Sequence, residues 1–227
     1  MKGDVTNRRQ LFLWCELAVF YVLAPVLCWR LRWPIILVLV IMSFLLFLRL
    51  RSDSSFDRGQ LARFHVPWTA WRRMFLEWLL VLPLLGALVW CLNPRELFRF
   101  PREQPVFWAV VMVAYPILSV WPQEIIYRAY FLHRYRPILG NTWLLLLASS
   151  VAFAFAHIVF ANSIAIILTF VAGWLFATTY MRTRSLPLVA VQHSLYGCAV
   201  FTIGLGHYFY HGTARFLEGI AHSHSGL

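Results

Sequence analysis

Apolar residues run through this chain in long blocks, not at the alternating spacing of a half-buried element. Seven blocks, at about residues 11–29, 33–50, 74–93, 106–127, 142–161, 163–181 and 185–205, can each cross a bilayer, since a span takes about 20 mostly apolar residues. The second begins at Trp33-Pro34, which suits a helix start. The fifth and sixth meet at Ala161-Asn162-Ser163, a tight turn with a capping signal. There is no internal repeat and no low-complexity tract. The pattern predicts an all-α polytopic membrane helical bundle of about seven helices. It divides into three regions: N-terminal spans with an interfacial loop (1–105), a four-helix core (106–205) and a C-terminal tail (206–227). The first block lacks a small-residue cleavage site and is expected to remain as a helix.

Composition agrees with a membrane protein. Hydrophobic residues make up 61% of the 227 and charged ones only 13%, against about a quarter charged in soluble domains. The formal net charge of +11 is almost all arginine, with Lys2 the only lysine. A strong basic excess often signals nucleic acid. Here the arginines cluster between apolar blocks, as membrane-flanking charges do, which argues against nucleic acid as a partner and for the lipid bilayer. With the N-terminus inside, 14 of the 20 basic residues fall on the inner side and 6 on the outer. That asymmetry predicts a cytoplasmic N-terminus. Short loops fit a bacterial inner membrane.

The loop over 51–73 mixes Phe56, Phe64, Trp68 and Trp71 with Arg58, Arg63, Arg72 and Arg73. This suits a segment lying on the membrane interface; a substrate-docking flap is the alternative. Cys15, Cys28, Cys91 and Cys198 have no ligand-like spacing and are expected to be buried thiols.

The chemistry lies in a few polar groups within the oily blocks. Glu124 and Arg128 sit four residues apart and share a helix face. Pro122 just before them is expected to loosen that helix. His157 and His193 lie inside the fifth and seventh blocks. An isolated charge in mid-bilayer costs about 2.5–3.5 kcal/mol on insertion scales, so these groups are expected to share one polar site. Glu16 and Glu77 lie near span ends, where water is within reach. His207, His211, His222 and His224 belong to the tail; the last two form at best a weak metal site.

One carboxylate and two imidazoles allow two routes to peptide hydrolysis. Glu124, His157 and His193 can hold Zn²⁺ with an open position for water, if the reaction is zinc-dependent. Alternatively Glu124 acts as general base on water while the histidines stabilise the oxyanion, with no cofactor. The HExxH signature is absent, and no serine lies in a nucleophile-elbow context.

In order and spacing these residues resemble the CPBP family of intramembrane proteases. It includes CAAX prenyl proteases of the Rce1 type and abortive-infection-like proteins. The family's Glu-Glu-x-x-x-Arg stands here as Gln123-Glu124-x-x-x-Arg128, and its Phe-x-x-x-His as Phe153-x-x-x-His157. Its His-x-x-x-Asn stands as His193 with Gly197 in the asparagine's place. The resemblance implies an intramembrane endopeptidase acting on a membrane-associated or lipidated protein or peptide, with Glu124, His157, His193, Arg128 and Gln123 in the site. Gln123 replaces the glutamate usually assigned as the base, and an amide is no useful proton acceptor. Two readings are open: Glu124 takes over, or the chain is a catalytically silent member that binds membrane peptides or serves as an assembly factor. Gln192 and Tyr196, flanking His193, are expected hydrogen-bond partners for it. A small proton-coupled transporter would also use such groups, but no inverted repeat supports it.

Overall fold

The computed structural model describes residues 2–209, with side chains from residue 7 on. Seven helices in it are long and apolar enough to cross a membrane. They are α1 (Asn7–Leu31), α2 (Ile35–Ser52), α3 (Trp68–Leu92), α4 (Pro105–Arg134), α5 (Thr142–Phe160), α6 (Ser163–Thr183) and α7 (Leu186–Ile203). Helices satisfy every backbone polar group within their own segment, which lipid demands. Large apolar side chains such as Leu80, Leu84 and Val106 therefore stand exposed on the outer faces.

Local chemistry sets the helix ends. Asn141, Asn162 and Ser185 cap α5, α6 and α7, each accepting a backbone N–H two or three residues on. Ala161, at φ 54°, makes the α5–α6 turn. Gly204, at φ 118°, ends α7 against the Glu96 backbone, where a Cβ would overlap the carbonyl.

α3 and α4 run furthest past one end of their apolar blocks. α3 starts at Trp68, so Trp68, Trp71, Arg72 and Arg73 are helical and not part of a loop. Arg73 pairs with Glu77 one turn on at 2.7 Å, so the first turn keeps its charge at the polar boundary. α4 continues past residue 127 to Arg134, because polar residues there meet partners from other segments.

The strongest of these partners is Glu16 of α1. Its carboxylate accepts two bonds from Arg134, at 2.9 Å each, and one from Tyr130 at 2.8 Å. Its side chain is only 8% exposed, so the expectation that Glu16 reaches water is corrected: it is a clasp between α1 and α4. A bidentate arginine–carboxylate pair is among the stronger contacts available in such a place.

The segment between α2 and α3 lies across the arginine-rich end of the bundle. Asp53 accepts from His133 at 2.9 Å, Tyr180 donates to Gln60 at 2.9 Å, and Ser185 donates to the Arg63 carbonyl at 2.6 Å. Bonds from Ser55 and His133 hold the Asp53 carboxyl well below the usual carboxylate range. Phe56 is buried against the His133 ring, whereas Phe64 and Trp68 are 60% and 71% exposed, as interface residues are. Of the four cysteines, only Cys28 is buried; Cys15 and Cys91 are exposed. An apolar thiol sits as readily against lipid as in a core.

The main core gathers the second half of α4 with α5, α6 and α7, around Ile126, Tyr130, Phe153 and Phe176. His211, His222 and His224 lie outside the described residues. His207 is described, and its Nδ1 donates to the Gly204 carbonyl at 2.9 Å.

Candidate active site

Two π-helical stretches, Pro116–Val120 and Ile125–Tyr130, bracket Trp121–Glu124 in α4. Such widened turns insert an extra residue and rotate the rest of the helix. Proline explains the first: Pro116 has no N–H to give the Met112 carbonyl, which lies 3.9 Å from the Cys198 thiol instead. In the second, Tyr21 donates to the Ile126 carbonyl at 2.9 Å and Ser149 to the Tyr127 carbonyl at 2.8 Å. Neighbouring helices thus satisfy groups that a regular turn would have paired. α4 is widened on both sides of Pro122 and remains continuous.

The widened turns aim a row of polar groups at α7. Glu124 and Arg128 side chains are both 0% exposed, with Arg128 Nε 3.4 Å from Glu124 Oε2. This is an ion pair whose alignment falls short of a hydrogen bond: Oε2, Nε and Nη2 have no hydrogen-bond partner among the described residues. The guanidinium lies over the Phe153 ring at 4.7 Å and the Phe176 ring at 5.7 Å, which stabilises a desolvated cation. Its Nη1 reaches Ser149 Oγ at 3.5 Å.

The other Glu124 oxygen, Oε1, lies 2.8 Å from His193 Nδ1. A carboxylate only accepts, so Nδ1 carries the proton and donates. In the tautomer with its proton on Nδ1, Nε2 is the lone-pair nitrogen. That nitrogen lies 3.0 Å from the Tyr115 hydroxyl, which donates to it. The His193 ring is stacked on Phe176 at 4.7 Å and meets the edge of Phe153 at 5.6 Å. A line of four groups results: Arg128, Glu124 and His193, all buried, and half-buried Tyr115.

His157 is set apart from this line. Its Nδ1 donates to the Phe153 carbonyl at 2.7 Å, which fixes its tautomer. Its ring packs against Phe153 at 4.8 Å, with Phe160 and Phe209 beyond. Phe153 therefore stands between the two imidazoles, and the expected three-way cluster is a Glu124–His193 pair with His157 one ring away. Gln123 faces elsewhere too: its amide donates to Ser119 Oγ at 2.6 Å, one turn back on α4. Adjacent residues on a helix point about 100° apart, so Gln123 and Glu124 cannot share a target.

Gln192 and Tyr196 do not bond His193. The Gln192 amide and the Tyr196 hydroxyl have no hydrogen-bond partner among the described residues. Tyr115 fills the role instead, from a helix 78 residues earlier. Apart from the proline after it, nothing in the sequence marks Tyr115: it is uncharged and lies in an apolar block. Ser149 and Phe176, which hold Arg128 and His193, are equally silent in sequence.

A zinc site would need three or four donors at about 2.0–2.3 Å from one point. Among the described residues no three His, Cys, Asp or Glu side chains are gathered in that way. Both His193 nitrogens and Glu124 Oε1 are committed to hydrogen bonds. As arranged, this donor set does not fit a metal.

Comparison with known proteins picks out the same region. Residues 105–199 match the family described as type II CAAX prenyl endopeptidase Rce1-like. No curated protein and no solved structure matches the chain. The matched residues run from the start of α4 into α7 and hold every member of the polar line. The segment of this chain that builds the site, residues 105–199, is thus similar to the Rce1-like type II CAAX prenyl endopeptidases.

Proposed function

We propose that this protein hydrolyses a peptide bond of a membrane-associated or lipidated protein, with Glu124 and His193 as the working pair. The observation that carries this reading is the 2.8 Å bond from His193 Nδ1 to Glu124 Oε1, both groups buried. A carboxylate that holds the Nδ1 proton leaves Nε2 as a base of fixed tautomer and orientation. Nε2 then takes a proton from water as the water oxygen bonds to the scissile carbonyl carbon. Glu124 stabilises the imidazolium that forms, and Nε2 returns the proton to the leaving nitrogen as the C–N bond breaks. Arg128 pairs with Glu124 in a place where a lone carboxylate would be costly.

This arrangement supports a different division of labour from direct water activation by Glu124. The carboxylate orients and the imidazole accepts the proton. His157, with Nδ1 tied back to the Phe153 carbonyl, is the second imidazole of the site. Gln123 is a neighbour of the site, bound to Ser119. The arginine-rich end is read as cytoplasmic, in a bacterial inner membrane.

The test is cleavage by the purified protein in liposomes. Two fluorogenic peptides serve as probes, one ending in a farnesylated Cys-aliphatic-aliphatic-X sequence and one identical but unprenylated. The expected result is cleavage of the farnesylated peptide at a rate unchanged by chelator. Cleavage abolished by chelator would transfer the chemistry to a metal. No cleavage of either peptide, or of tagged membrane proteins, would leave a silent peptide-binding member of the family.

A further inference from the structure

Tyr115 is the one hydrogen-bonding group on His193 Nε2 among the described residues, and α7 is shaped to receive it. Gly197, one turn beyond His193, faces the tyrosine ring. A Cβ at Gly197 would overlap the Tyr115 Cε1, Cζ and hydroxyl oxygen. The glycine is therefore the space that the hydroxyl occupies, and any side chain there would drive Tyr115 off Nε2. From α4, Pro116 and the widened turn Pro116–Val120 begin at the next residue, which sets the angle at which Tyr115 leaves the helix. The ring is braced edge-on by Phe201 at 5.3 Å and by His193 at 6.0 Å. Tyr115 is half-buried while Glu124 and His193 are buried, so the site comes nearest the surface along this side chain.

We propose that Tyr115 is a catalytic residue of the hydrolysis, the donor that holds the oxyanion, with Gly197 as its seat. This rests on the assignment of Glu124 and His193 as the working pair. In the resting site the Tyr115 O–H points at Nε2 and keeps that nitrogen covered. When the scissile carbonyl enters beside it, the hydroxyl turns about its C–O bond and donates to the carbonyl oxygen. That uncovers Nε2 for water. The water oxygen bonds to the carbonyl carbon, its proton passes to Nε2, and the electron pair of the C=O bond moves to the oxygen held by Tyr115. The C–N bond then breaks, C=O re-forms, and the Nε2 proton leaves with the amine. Tyr115 keeps its own proton throughout. A donor placed where charge develops is among the larger contributions an enzyme makes.

The experiment compares wild type, Tyr115→Phe, Gly197→Ala and the double variant, in liposomes, on the farnesylated peptide. Tyr115→Phe keeps the ring and removes only the hydroxyl. Gly197→Ala keeps the hydroxyl and expels it from its seat. Each single change is expected to lower kcat by roughly 10²–10³-fold, as loss of one oxyanion donor does, with KM little changed. The double variant is expected to lose no more than the worse single, because both remove one interaction. Nitrogen NMR of histidine-labelled protein should show the His193 Nε2 signal moved the same way in both singles, with the thermal unfolding midpoint of Tyr115→Phe near wild type. An active wild type with Tyr115→Phe at full rate, or with losses that multiply in the double variant, overturns this inference alone. A wild type that cleaves nothing overturns the reading beneath it as well, and this inference falls with it.

Discussion

Glu124→Gln is expected to cut peptide cleavage by roughly 10⁴-fold, the scale seen when the carboxylate of such a pair becomes an amide. The side chain keeps its size, so the packing around Arg128 and Phe153 survives. What changes is the tautomer. An amide NH₂ at Oε1 would face Nδ1 as a donor, and His193 would move its proton to Nε2 to accept from it. The base would then be protonated at the atom that must take the water proton. Steady-state kinetics on the farnesylated peptide check this, and the fall should appear in kcat. Direct water activation by Glu124 predicts loss of rate as well, so the same samples are read by NMR. A shift of the His193 proton from Nδ1 to Nε2 is specific to the pairing seen here.

Arg128→Met is expected to do more damage to the fold than to any other property. It strands the Glu124 carboxylate, which is 0% exposed, without its cation. Breaking a buried pair from one side costs about 3–5 kcal/mol. The double change Arg128→Met with Glu124→Gln removes both charges, and methionine fills much of the arginine's volume against Phe153 and Phe176. Thermal unfolding in detergent should therefore rank wild type and the double variant well above Arg128→Met alone. A single variant as stable as the double would mean that the pair carries no electrostatic burden. Activity is expected to stay low in the double variant, because stability returns without the carboxylate.

The seven spans were legible because a bilayer sets a length, and an apolar block of that length has few other uses. Their ends were less legible. Arg72 and Arg73 read as loop, yet Glu77 one turn on lets them begin a helix. His133 and Arg134 lie beyond the fourth apolar block, yet Asp53 and Glu16 receive them from far along the chain. No local pattern carries such distant partners. The same limit applies within the site. Glu124, Arg128 and His193 stand out because charge is costly in lipid, and the spacing of the first two gives their pairing outright. His157 stands out for the same reason, and only the fold shows Phe153 between it and His193. Tyr115 and Ser149 carry no charge, so nothing in an apolar block separates them from packing residues. Gly197 looked like a missing side chain; in the fold it is the space another side chain fills.

If His193 is the base that Glu124 orients, one comparison decides it. Initial rates of farnesylated-peptide cleavage are measured for wild type and His193→Ala in liposomes, at equal folded protein. The structure leads us to expect turnover by wild type and only background from His193→Ala. Equal rates for the two proteins would remove the Glu124–His193 pair from the chemistry and contradict the mechanism built on it.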